Sequence, residues 1–197
     1  MSTFRLAPLS LTFLAASLAA CGSMPGSGSM PMAASPVAVP FSQDALPDAV
    51  KVPSGHRVAW ETVGVGEITY ECRAKAGAAD AFEWVFVGPK ADLRSRQGQV
   101  VGGYWGPPAT WAAQDGSSLT GAQLAVASAG SGNIPLQLVK ANPAKLVDGK
   151  GDLQGVSYIQ RVGTRGGVAP ATACGSGSLG QRQIVTYQAD YIFWKPV

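Results

Sequence analysis

Charge is scarce in this sequence: 14% of the 197 residues are Asp, Glu, Lys or Arg, against about 25% in an average globular domain. Disorder would pair that scarcity with low hydrophobicity, but 46% of the residues are apolar and aromatics are spread along the chain, so a packed core is expected. Basic residues form no block. The formal charge is +3, falling to +2 without Arg5, and the nearest approaches to a patch are Arg94 with Arg96 and Arg161 with Arg165. Binding nucleic acid requires neutralising successive phosphates, so no nucleic-acid partner is expected. There is one histidine, His56, and no Cys-x-x-Cys pair, so neither a metal nor any other cofactor is expected. Beyond the first 20 residues no apolar run is long enough to span a bilayer. No segment carries a 3.6-residue apolar stripe through three turns, and 25 Gly with 14 Pro favour many turns over long helices.

What is present begins at the N-terminus. Residues 1–20 read as an export leader, with Arg5 as the positive start and residues 9–18 as a compact apolar stretch. Small residues precede Cys21, and Leu18-Ala19-Ala20-Cys21 resembles the lipobox of bacterial lipoproteins. An ordinary secretion signal with an accidental cysteine is the competing reading. The resemblance implies cleavage before Cys21, diacylglycerol on its sulfur and an acyl chain such as palmitate on the new amine. Each buried CH₂ of such an anchor contributes about 0.8 kcal/mol of membrane affinity. Gly22 rather than Asp after the cysteine implies, by the same resemblance, the outer membrane, with the domain in the periplasm or at the surface. Residues 21–40 are rich in Gly, Ser and Pro and read as a tether. Residues 41–197 then form one domain.

Cysteine arithmetic agrees with export. With Cys21 acylated, Cys72 and Cys174 remain, and an oxidising compartment makes one disulfide their simplest fate, closing a loop of about 100 residues. A cysteine metal site competes poorly without further ligands.

The body alternates with period two. Ile68, Tyr70 and Cys72 share a face, as do Phe82, Trp84 and Phe86. Residues 155–164 read as a strand with Val156, Tyr158, Gln160 and Val162 on one face and Ile159 and Arg161 on the other. Val185, Tyr187, Ala189, Tyr191 and Phe193 form the clearest apolar face, opposite Thr186, Gln188 and Asp190. Short strands between Gly/Pro turns indicate an all-β fold, an antiparallel β-sandwich or barrel with long Gly/Pro-rich loops. Asp115-Gly116 reads as a two-residue hairpin turn. Gly106-Pro107-Pro108, residues 163–170 and residues 175–180 read as loops.

Several of these residues, in order, resemble the DUF3455 family, a bacterial and fungal domain of unknown function. They are Tyr70-Glu71-Cys72, Trp84 with Gly88-Pro89-Lys90-Ala91-Asp92-Leu93, Gly106-Pro107 with Thr110-Trp111, and Asp115-Gly116-Ser117. Ile134-Pro135, Ile159-Gln160-Arg161-Val162, Thr164-x-Gly166-Gly167 and Tyr187-x-Ala189-Asp190-Tyr191-x-Phe193 continue the series over roughly residues 52–194. The family usually places a His before the Gly-Pro, where this chain has Tyr104-Trp105, and a Trp after Ile-Pro, where it has Leu136. The resemblance implies a secreted or surface β domain with no established activity. Some members carry a malate dehydrogenase label. Gly175-Ser176-Gly177-Ser178-Leu179-Gly180 does fit G-x-G-x-x-G, but it precedes a strand rather than opening a helix, so an NAD-dependent dehydrogenase is rejected.

Other catalytic signatures are thin. There is no G-x-S-x-G elbow, and His56 beside Ser54 reads as an exposed turn residue. A secreted hydrolase using carboxylate pairs is the alternative function, with Glu71, Glu83, Asp115 and Asp190 as candidates; Asp190 with Arg161 reads as a structural ion pair. The richest constellation is aromatic: Tyr104, Trp105 and Trp111 around the Gly-Pro-Pro loop, beside Asp115. Rings next to a carboxylate suit stacking of an envelope glycan or contact with a protein partner, although core packing of both tryptophans competes. The favoured reading is a non-catalytic, lipid-anchored envelope protein that binds through residues 104–117.

Overall fold

The computed structural model describes residues 40–78 and 80–197. The leader, Cys21 and most of the tether lie outside the described residues. Eight strands follow one another: β1 (His56–Ala74), β2 (Phe82–Arg94), β3 (Val100–Trp105), β4 (Thr110–Ala113), β5 (Ser118–Ala127), β6 (Leu136–Ala141), β7 (Tyr158–Gly166) and β8 (Arg182–Pro196). Each pairs antiparallel with the next, and β8 returns to β1, so of the two expected architectures the fold is a closed barrel. Closure leaves no free sheet edge. The closing seam is the longest, running from His56 opposite Pro196 to Glu71 opposite Arg182.

Period two decides what fills the barrel. Tyr187, Ala189, Tyr191 and Phe193 of β8 point inward with Ile68 of β1, Leu93 of β2, Tyr104 of β3 and Trp111 of β4, and all are buried. An eight-stranded barrel is just wide enough for side chains to fill it or for one small ligand. The end bearing the β2–β3, β4–β5 and β6–β7 connections is filled, because Leu153 and Val156 of the last connection join the core. The opposite end, with the β1–β2, β3–β4, β5–β6 and β7–β8 connections, is the mouth.

A second core lies outside the barrel wall. A strap of residues 41–52, including the 3₁₀ turn Asp48–Val50, seats Val50 and Val52 against Leu138, Val162, Ile192 and Trp194. Gln160, fully buried, pins the strap. Its Nε2 donates to Val50 O (2.6 Å) and Gln43 Oε1 (3.1 Å), and its Oε1 accepts from Trp194 Nε1 (2.9 Å). Each polar group thereby finds a partner in a site closed to water.

Three local expectations need correction. The strand expected over residues 155–164 begins at Tyr158, because Gly155 takes positive φ and Val156 turns into the core; it extends to Gly166 through a bulge between Val162 and Arg165. Residue 163 is therefore inside a strand, not the start of a loop. The Asp115 turn has three loop residues, since Ala113 N donates to Ser117 O (2.9 Å), and Gly116 alone takes positive φ, +85°. Asp115 serves instead as an acceptor, taking Ser117 N (2.8 Å), Ser117 Oγ (2.6 Å) and Asp152 N (2.6 Å), which ties this hairpin to the β6–β7 connection. Residues 175–180 hold a short 3₁₀ turn, Ser176–Ser178, that leads into β8.

At the mouth end Cys72 of β1 and Cys174 of the β7–β8 connection form the expected disulfide, 102 residues apart. Trp84 Nε1 donates to Thr172 O (2.8 Å), holding the same connection against β2.

Candidate ligand site at the barrel mouth

Inward positions change character along the barrel axis. Leu119 of β5, Val139 of β6 and Ile159 of β7 are apolar, but nearer the mouth the inward positions include Gln123 (beyond Gly121), Gln137 and Arg161. Opposite them stand Phe86 and Pro89 of β2 and Tyr104 of β3, and the β3–β4 connection contributes Gly106 and Pro107. Both peptide bonds of Gly106-Pro107-Pro108 are cis. The connection can lie this close to β2 because residue 88 is glycine; a Cβ there would collide with Gly106 O. The result is a cavity of about 290 Å³.

One wall is polar. Gln137 Nε2 donates to Gln123 Oε1 (2.7 Å), and Arg161 donates from Nε (3.2 Å) and Nη2 (3.0 Å) to Pro135 O. The other wall is aromatic. Phe86 is half-exposed and meets Tyr70 edge-on at 6.1 Å, while Tyr104 stacks on Trp111 at 4.8 Å and closes the cavity floor. Below it, the hydroxyls of Tyr187 and Tyr191 share a hydrogen bond of 3.2 Å. Burial pushes the phenols of Tyr104, Tyr187 and Tyr191 up from their ordinary value, and the Arg161 guanidinium opposes that shift at each. The Arg161 charge thus acts into the barrel, where a low dielectric lengthens its reach.

The ion pair expected between Arg161 and Asp190 does not form, because the two side chains leave opposite faces of the wall. Asp190 lies outside and pairs with Arg96 (3.4 Å), which also holds Glu61 (3.0 Å). No ion pair among the described residues includes Arg161.

The aromatic constellation read from the sequence is divided by the fold. Tyr104 lines the cavity, but Trp111 is core at 1% exposure, and Trp105, its neighbour's parity reversed, points outward at 45%. Asp115 sits at the far end of the barrel in the β4–β5 turn. The other carboxylate candidates are also off the cavity. Glu71 is outside, between Arg73 and Arg182 (both 2.8 Å), and Glu83 is exposed. His56 and Tyr158 meet nearly perpendicular at 4.9 Å, and His56 Nδ1 lies near the carbonyls of Pro53 and Ser54. The cavity lining presents a cation, two amides and flat rings, and no carboxylate, imidazole or thiol is among its residues. Sequence reading missed Phe86, Gln123, Gln137 and Arg161 as a group. The available signal was polar residues at positions in phase with Leu119, Val139 and Ile159.

Residues 53–195 match the sequence model of a family described as "Protein of unknown function (DUF3455)". The chain belongs to the DUF3455 family. No curated protein and no solved structure matches it. The DUF3455 match takes in all the cavity residues, from Phe86 to Arg161, and both cysteines of the disulfide.

Proposed function

We propose that this DUF3455 domain is a non-catalytic binding module of the cell envelope, lipid-anchored through Cys21 in the outer membrane and holding a small ligand in the barrel mouth. The carrying observation is Arg161. Its guanidinium faces an open cavity, bonded to Pro135 O and paired with no carboxylate among the described residues, which leaves donors free for a ligand. The lipobox-like end and the tether support export, and the Cys72–Cys174 bond suits an oxidising compartment.

The ligand site is tested by a thermal-shift screen of the full chain against small polar and aromatic fragments. A ligand at 100 times its Kd stabilises the fold by about 2.7 kcal/mol. Stabilising fragments should lose their effect in Phe86→Ala and keep it in Trp105→Ala. Fragments that stabilise all three proteins alike would place binding elsewhere. Anchoring is tested by fractionation with labelled palmitate: Cys21→Ala should abolish both label and membrane retention, and label persisting in that variant would refute the anchor.

A further inference from the structure

We infer that the mouth takes a carboxylate of single negative charge carried on one six-membered ring; this rests on the mouth being a ligand site, and names the class of ligand. The sign follows from Arg161, the one charged residue of the cavity lining. Of the five N–H bonds of a guanidinium, two are given to Pro135 O, one from Nε and one from Nη2. Both Nη1 bonds and the second Nη2 bond remain. Parallel Nη1 and Nη2 donors match the two oxygens of a carboxylate. A doubly charged phosphate would call for a second cation or a cradle of backbone N–H groups, and the lining offers neutral glutamines instead.

The body of the ligand follows from the facing wall. Phe86 occupies an inward position yet stays 51% exposed, and Pro89 and Pro107 flank it with flat apolar surface. A ring lying on Phe86 would cover it. The glutamine pair uses one N–H of Gln137 and Oε1 of Gln123, leaving the Gln123 amide as a donor and Gln137 Oε1 as an acceptor for substituents on that ring. The volume of about 290 Å³ is at the lower end of small-molecule pockets, about 300–1,000 Å³, which suits one ring rather than a chain of them. An aromatic acid and a sugar acid share this chemistry.

Calorimetric titration of the full chain with phenylacetate and glucuronate, each against its neutral counterpart, phenylacetamide and glucose, separates the two. At least one acid should bind tenfold or more tightly than its counterpart, and Arg161→Gln should erase that preference. Arg161→Lys, which keeps the charge and loses the fork, should retain a reduced preference and guards against misreading a folding defect. The acid that binds identifies the source. Equal affinity for acid and neutral probe, unaffected by Arg161→Gln but weakened by Phe86→Ala, overturns the ligand class while leaving the mouth as a binding site. Binding by none of the four probes also overturns it, and the fragment screen then decides the broader reading on its own.

Discussion

Trp111 and Trp105 offer the sharpest contrast between neighbours in sequence. Trp111 is 1% exposed, stacked on Tyr104 at 4.8 Å and edge-on to Tyr191 at 6.1 Å. Truncating such a ring to alanine costs about 3–5 kcal/mol, including about 0.5–1.5 kcal/mol of aromatic pairing. One term runs the other way. The indole Nε1 is buried with no hydrogen-bond partner among the described residues, a penalty of about 1–3 kcal/mol that any substitution removes. Trp111→Ala should therefore lose about 3 kcal/mol, the low end of the range. Trp111→Phe keeps a ring against Tyr104 while discarding the orphan donor, and should stay within about 1 kcal/mol of wild type. Trp105→Ala, at 45% exposure, should cost under about 1 kcal/mol. Urea unfolding followed by far-ultraviolet circular dichroism avoids reliance on the altered fluorophore. With m of about 2 kcal/mol/M, Trp111→Ala should move the midpoint down by about 1.5 M. Equal midpoints for Trp111→Ala and Trp105→Ala would refute the inward placement of Trp111. A loss in Trp111→Phe matching that in Trp111→Ala would show that the indole N–H has a partner.

Replacing Cys72 and Cys174 together by alanine frees a loop of 102 residues and should cost about 4–5 kcal/mol in the chain-entropy account; equilibrium unfolding of the double variant checks it, and a loss below about 1 kcal/mol contradicts it. Gln160→Leu strands Val50 O and Trp194 Nε1, while Gln43 keeps its bonds to Val52, so a loss of about 2–4 kcal/mol and faster hydrogen exchange in residues 41–52 are expected; unchanged exchange there would mean that the strap is held without it. The Ser117 hydroxyl, with backbone N–H groups of Asp152 and Ser117, holds the Asp115 carboxyl below its ordinary value of 3.8. A lowered folded-state value contributes stability above the unfolded pKa that is lost as pH falls through the folded one. Wild type should thus exceed Asp115→Asn in Tm near neutrality, with the gap closing as pH falls below 3.8; a gap that persists undiminished in acid would contradict this origin.

The all-β class and the disulfide were legible because each needs little information: alternation in β8, and just two cysteines, Cys72 and Cys174, within residues 41–197. The interior face of β8 followed directly, since its alternate positions differ so sharply in polarity. β7 was harder. Gln160 and Val162 are buried beneath the strap while Ile159 and Arg161 face the barrel, so both faces hold an apolar residue and alternation alone cannot say which looks inward. The mouth depended on register. Tyr104 meets Trp111 across the β3–β4 pair, and Gln137 lies opposite Arg161 across the β6–β7 pair. Those pairings depend on the lengths and bulges of intervening turns, which composition does not specify. Trp105 and Asp115 were drawn into one constellation by closeness along the chain, whereas one leaves the barrel wall and the other caps its opposite end.

The most direct measurement is a crystal structure of the full chain soaked with the best stabilising fragment of the thermal-shift screen. The account predicts density for it in the mouth, with a polar group on the free Nη1 edge of Arg161 and its body on Phe86. Density for the fragment on the outer wall or beneath the strap, with only water beside Arg161, would contradict it.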